Sequence, residues 1–230
     1  MDIILIPGLW LDGSSWEDVA PTLERAGHHV HALTLPGLGA DGAASGTIGM
    51  ADWVDAVTNL IDSEGGPVVL VGHSGGGNVA WGAASARADR VARVVFVDTV
   101  PPPPGVGISE FDVVDGVVPF PGWDAFEDEE VGDLDEATRR KWAARTATVP
   151  PRTTTDPIRL EGEDRFRIPV TILSGTMTAE TLPAALAQWR PWADEFAAIE
   201  RADVVHLDSG HWPQFSKPEE LSRAILDAVG

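Results

Sequence analysis

The chain has 230 residues, 43% of them hydrophobic, no cysteine and a formal net charge of −20 at pH 7. That length suits one domain with a large core, and the composition is that of an ordinary soluble globular protein. The acidity argues against nucleic acid and anionic membranes as partners, and the lack of cysteine excludes disulfides and thiolate metal sites.

Met1–Ile6 reads as a buried strand rather than as part of a signal peptide, and no apolar run approaches the roughly 20 residues of a membrane span. A cytoplasmic, membrane-free protein is therefore expected. A loop follows, Pro7 to Trp16, and Trp16–Leu23 has helical spacing with Ser14 or Ser15 as its N-cap. His29–Leu33 is a second strand and Thr34–Gly39 a turn-rich loop. Ile48–Ile61 is an amphipathic helix with Met50, Trp53, Val57, Leu60 and Ile61 on one side. The β-branched run from Val68 to Val71 stops at Gly72-His73-Ser74-Gly75-Gly76, and an Ala/Gly-rich helix spans Asn78 to Ala88. Val91–Val97 is a fourth strand, ending in Asp98-Thr99. Strand–helix alternation with short links predicts a parallel sheet with right-handed crossovers.

The rhythm breaks at Pro101-Pro102-Pro103-Pro104-Gly105. No Lys or Arg occurs between Arg93 and Arg139, while acids accumulate from Asp98 to Glu136. Phe111, Phe120, Trp123 and Phe126 lie in the same interval, so it is not plain disorder. Residues 99–168 read as a cap inserted into a core of residues 1–98 and 169–230, with a helix at Glu136–Thr146. Its charge run is a solvated face or an acidic mouth. The sheet resumes at Pro169–Leu173, a helix spans Thr181–Phe196, Ala202–Leu207 is the last strand and Pro218–Val229 the closing helix.

Strand, sharp turn, helix is the context in which a G-x-S-x-G pentapeptide places a serine hydroxyl clear of the backbone. Gly72 and Gly76 are expected where strand and helix approach too closely for side chains. Ser74 needs a base, and the base needs an orienting acid. Of six histidines, His28, His29, His31 and His206 lie in or beside strands and His73 sits inside the turn. His211 follows the final strand, on the same carboxyl edge of the sheet as Ser74, where ligands of such sheets bind.

These pieces together resemble the α/β-hydrolase superfamily. Ile6-Pro7-Gly8-Leu9-Trp10 resembles its oxyanion loop, with Pro7 where histidine is common. Gly72–Gly76 resembles its nucleophile elbow, and Gly210-His211-Trp212-Pro213-Gln214-Phe215 its catalytic-histidine segment. The resemblance implies a three-layer α/β fold, a mostly parallel sheet of about six strands with helices on both faces and a cap. It also implies Ser74 as nucleophile, His211 as base, and the Leu9 and Gly75 N–H groups as oxyanion donors. Many relatives carry the acid as Gly-x-x-Asp after the fifth strand, but here Gly175-Thr176-Met177-Thr178 ends in threonine. Asp98 is the first candidate, as in relatives with the acid one strand earlier, and Glu180 the alternative.

Trp10, Phe111, Phe120, Trp123, Trp142 and Trp212 are core or the lining of an apolar pocket. A serine hydrolase of a small-to-medium apolar ester, thioester or lactone is expected, with no cofactor and no metal-ligand cluster in the spacing. A non-hydrolytic enzyme (lyase, haloperoxidase or cyclase) and a ligand receptor on the same scaffold are the alternatives, since fold does not settle function.

Overall fold

The computed structural model describes residues 1–230. Its first half runs β1 (Asp2–Ile6), α1 (Ala20–Arg25), β2 (His29–Ala32), α2 (Gly42–Ser45), α3 (Met50–Ser63), β3 (Val68–His73), α4 (Gly75–Ala86) and β4 (Val91–Val97). After β4 the chain leaves the sheet for some seventy residues, carrying α5 (Asp128–Val131), α6 (Glu136–Ala143) and α7 (Pro151–Thr155). It returns as β5 (Val170–Ser174), α8 (Leu182–Leu186), α9 (Arg190–Ala198), β6 (Ala202–His206), α10 (Pro213–Ser216) and α11 (Pro218–Val229).

The six strands form one parallel sheet in the order β2-β1-β3-β4-β5-β6. Side chains alternate across it, as the two-residue period of a strand requires. Ile3, Leu5, Val69, Val71, Val95 and Val97 pack under α1 and α11, against Leu23, Leu221 and Ile225. Ile4, Ile6, Leu70, Val94 and Phe96 face α3 and α4, against Trp53, Val57, Ile61 and Trp81. Both faces are covered, which is why the strands read as continuous apolar runs. No helix is long and apolar enough to cross a membrane.

Several helix boundaries differ from expectation, each for a local reason. The expected Thr181–Phe196 helix is two helices, because Pro191 has no N–H for the Ala187 carbonyl and its ring would clash there. The expected helix from Trp16 is a short 3-10 turn, Gly13–Trp16, and then α1; its cap is Asp12, whose carboxylate accepts from the Ser14 N–H at 2.8 Å. The helix after β3 starts at Gly75, not Asn78. The helix expected at Ile48 starts at Met50, with the Gly49 N–H donating to the Asp52 carboxylate at 2.8 Å.

The segment between β4 and β5 packs over the carboxyl ends of the strands. Ala147 N–H donates to the Trp10 carbonyl at 2.9 Å and His211 N–H to the Glu130 carbonyl at 2.8 Å. Arg145 forks onto Glu17 at 2.6 and 2.8 Å. Hydrogen bonds from Arg145 and Lys141 hold the Glu17 carboxyl down at about 2. The acidic run is nearly all exposed, Asp98 and Glu130 excepted, as a solvated face would be.

One buried ion pair ties the end of this segment to the core. Arg165 donates to both oxygens of Glu195 at 2.8 and 3.0 Å, and Trp81 Nε1 donates to the same carboxylate at 2.8 Å. Both charged side chains are almost fully buried. Glu195→Ala should therefore cost about 3–5 kcal/mol by stranding the guanidinium, lowering the melting temperature by roughly 10–15 °C in calorimetry. Pairing it with Arg165→Met should recover much of that loss, whereas an unchanged melting point in Glu195→Ala would refute the assignment.

Candidate active site

Ser74 follows β3 and Asp98 follows β4, which are neighbours in the sheet with His73 opposite Val97. Both residues have left-handed backbones, φ 51° at Ser74 and φ 47° at Asp98. Such conformations cost about 1–3 kcal/mol each and persist only where the surroundings enforce them. At Ser74 the enforcement is visible. A β-carbon on Gly76 would stand 2.5 Å from the Pro7 carbonyl oxygen, and one on Gly72 would stand 2.6 Å from that of Gly76. The chain therefore turns sharply, and the serine side chain is carried at the tip.

His211 comes from the loop after β6. Its Nδ1 lies 2.6 Å from Asp98 Oδ2 and its Nε2 2.9 Å from Ser74 Oγ. A carboxylate only accepts, so Nδ1 carries the hydrogen, and the Nε2 lone pair then accepts from the serine hydroxyl. The other Asp98 oxygen, Oδ1, accepts from the Gly175 N–H at 3.0 Å. Burial pushes the Asp98 carboxyl up, but the His211 hydrogen bond and charge together with the Gly175 donor outweigh it, leaving the group below the ordinary carboxylate range.

Glu180, the alternative acid, is exposed and accepts from Thr178 Oγ1 at 3.0 Å; Asp98, not Glu180, is the partner of His211. The end of β5 supplies a backbone donor where many relatives place their acid.

Leu9 follows β1, on the other side of β3. Because α4 begins at Gly75, its first N–H groups have no acceptor within the helix. The Leu9 N–H likewise has no backbone acceptor. A β-carbon on Gly8 would sit 3.2 Å from Ser74 Cβ, and one on Gly75 would sit 3.2 Å from Leu9 Cγ and 2.9 Å from Ile108 Cδ1. Unpaired donors thus flank the serine from both sides, an arrangement able to hold a developing oxyanion.

An aromatic wall leads away from His211. The Trp212 ring meets His211 edge-on at 4.7 Å, and Trp123 and Phe126 meet Trp212 at 5.0 and 4.8 Å. Trp10 contacts Phe111 and Phe120 at 5.0 and 5.6 Å. Trp142 stands apart from this wall, buried and stacked at 4.0 Å on Phe215 under the Arg145 guanidinium. Packing of the inserted segment accounts for it, so it is not pocket lining.

Sequence reasoning passed over Gly175, Ile108 and the His73–Gln214 pair. His73 Nε2 donates to the His211 carbonyl at 2.7 Å, and its Nδ1 accepts from Gln214 Nε2 at 3.2 Å. The imidazole is thus a strut between the elbow and the His211 loop, for which a histidine inside G-x-S-x-G was the only signal. Burial, then repulsion from His211, lowers its pKa to about 3. The unfolded chain takes up this proton near 6.5, so below that pH it binds a proton that the native state refuses. Stability should fall as pH drops from about 6.5 toward 3, by at most about 1.4 kcal/mol per pH unit from this group. Urea unfolding at pH 7 and pH 5 checks this; His73→Gln should show the shallower decline, and equal slopes would contradict it.

The family model for the alpha/beta hydrolase family matches residues 3–224. The pyrethroid hydrolase of Sphingobium wenxiniae is 26% identical over an alignment covering 98% of this chain and 86% of that protein. Lipase LipV of Mycobacterium tuberculosis is 35% identical, covering 77% of this chain and 74% of its own length. Among solved structures, an extracellular alpha/beta-hydrolase from a Paenibacillus species superposes with a TM-score of 0.79 at 20% identity, covering 99% of this chain and 98% of that one, which shows a shared fold. With matches spanning nearly its whole length, the chain belongs to the alpha/beta hydrolase family.

Proposed function

We propose that this protein is a serine hydrolase that cleaves small-to-medium apolar carboxylic esters, thioesters or lactones through an acyl-enzyme. The observation that carries the proposal is the continuous Asp98–His211–Ser74 hydrogen-bonded chain at a strained turn. Ser74 Oγ attacks the acyl carbon while His211 Nε2 takes its proton, and Asp98 orients the ring and stabilises the cation that forms. The Leu9 and Gly75 N–H groups receive the oxyanion. His211 then protonates the leaving alcohol or thiol. In the second half a water attacks the acyl-serine, His211 accepts its proton, and the acid departs as Ser74 recovers its hydrogen. Every step uses groups of the chain and water.

The wall formed by Trp10, Phe111, Phe120, Trp123 and Trp212 favours an apolar acyl or alcohol group over a charged one. Residues 99–168 act as the cap that brings much of this wall over the serine. Relatives named as a pyrethroid hydrolase and a lipase support the hydrolytic reading. The test is turnover of a short-chain aryl ester panel, with labelling by a serine-directed phosphonate located by peptide mass. Turnover with the label on Ser74 is expected. Inertness on every ester, with no label on Ser74, would overturn the proposal.

A further inference from the structure

At the opposite, amino-terminal edge of the sheet lies a second cluster that the hydrolytic chemistry does not use. In the parallel register Asp2 of β1 stands beside His29 of β2, and His31 two residues on shares its face. That face looks toward α3, whose last turn ends at Glu64. One ligand atom from each of Asp2, His29, His31 and Glu64 lies within 4.8 Å of every other.

Three of the ligand-atom separations lie close to those of a coordination shell. His29 Nδ1 is 3.0 Å from Asp2 Oδ1, and His31 Nε2 is 3.3 Å from Glu64 Oε1 and 3.8 Å from Asp2 Oδ1. Tetrahedral zinc with bonds of about 2.0–2.1 Å separates neighbouring ligand atoms by about 3.3 Å. His31 Nε2 is shut off from solvent and makes no hydrogen bond, although carboxylate oxygens of Glu64 and Asp2 lie 3.3 and 3.8 Å from it. Such an orphaned buried nitrogen is costly unless something fills the space between. Imidazole nitrogens suit zinc and its transition-metal neighbours, whereas calcium and magnesium require oxygen shells. The net charge of −20 raises the local concentration of any cation.

We propose that Asp2, His29, His31 and Glu64 form a zinc-type divalent metal site that clamps the edge strand β2 to β1 and to the end of α3. The role is structural. The site lies at the start of β1, and the loop that flanks Ser74 begins at its other end, about 16 Å away for a five-residue strand. An edge strand with one neighbour has the most to gain from such a clamp.

The test uses chelator-stripped protein free of any polyhistidine tag, with Zn2+ and Co2+ as probes. One Zn2+ per chain is expected by calorimetric titration, with a melting temperature raised by about 5–10 °C at a hundredfold excess over Kd. Co2+ should give the intense visible bands of a four-coordinate site. His31→Gln and Asp2→Asn should each lose the bands and the thermal shift while aryl-ester turnover stays within twofold of wild type. Asparagine is nearly isosteric with aspartate and keeps the backbone pairing of Asp2 with β2 and β3, so at least that variant should fold. Absence of Co2+ bands and of a thermal shift in wild type, or equal binding by both variants, would overturn the site. Neither readout depends on ester turnover, so failure here is distinct from failure of the hydrolase proposal.

Discussion

Ser74→Ala is expected to lower kcat for a responsive aryl ester by about five to six orders of magnitude, the full covalent contribution, while leaving KM nearly unchanged. At about 1.4 kcal/mol per decade this removes roughly 7–8 kcal/mol of transition-state stabilisation. The size follows from geometry. The hydroxyl is the only atom that His211 Nε2 activates, at 2.9 Å, and alanine leaves the base with nothing to deprotonate except a stray water. The oxyanion donors on Leu9 and Gly75 are backbone groups and survive, so some catalysis over bulk water should persist. Fold loss is not a rival explanation. Alanine keeps the β-carbon and meets the same left-handed backbone that serine already occupies at φ 51°. Its melting temperature should match wild type within a few degrees, and steady-state kinetics beside calorimetry on one preparation separate the two effects. A Ser74→Ala variant retaining a tenth of wild-type turnover would remove serine from the mechanism.

Asp98→Asn should lower kcat by about four orders of magnitude, because it reverses the tautomer of His211. The Gly175 N–H, 3.0 Å from Oδ1, needs an acceptor, so the new amide will place its oxygen there. Its NH2 group then faces His211 Nδ1, which must accept instead of donate. The ring hydrogen moves to Nε2, the atom that has to take the serine proton, and the base is switched off with its position unchanged. Glu180→Gln is the control. Its carboxylate is exposed and engaged with Thr178, so turnover should stay within about twofold of wild type. A fall in Glu180→Gln to match Asp98→Asn would move the acid to the end of β5. A pH–rate profile adds a further check. The Asp98 carboxyl sits below the ordinary carboxylate range, so its loss of charge should not set the acid limb of kcat/KM.

Much of the fold was legible in the sequence because its signals are local. Two-sided burial makes β1, β3, β4 and β5 continuous apolar runs, and the helices between them show their periodicity through residues such as Trp53, Val57 and Ile61. The six-stranded sheet with helices on both faces followed from that alternation and from the family resemblance. Boundaries were less legible where proline or a cap decided them, as at Pro191 and Asp12. Glycine spacing around Ser74 was informative because two backbones meet there, and contacts of 2.5–2.6 Å explain why Gly72 and Gly76 carry no side chain.

The sequence by itself determined the strand-turn-helix at Ser74 and the succession of apolar strands along the chain. It also marked His211 as the histidine beyond the last strand. Each is written in neighbouring residues, whose propensities and sterics act without the rest of the molecule. The choice between Asp98 and Glu180 needed the fold, since it rests on which carboxylate the β6 loop swings toward across two strands. The same holds for the Gly175 donor and the His73 strut, whose partners lie 77 and 138 residues away in the chain. The cluster of Asp2, His29, His31 and Glu64 is the clearest case. Only the His29-x-His31 pair is written in the spacing; Asp2 and Glu64 belong to a neighbouring strand and a helix end, and parallel register and the packing of α3 bring all four polar atoms within reach of one ion.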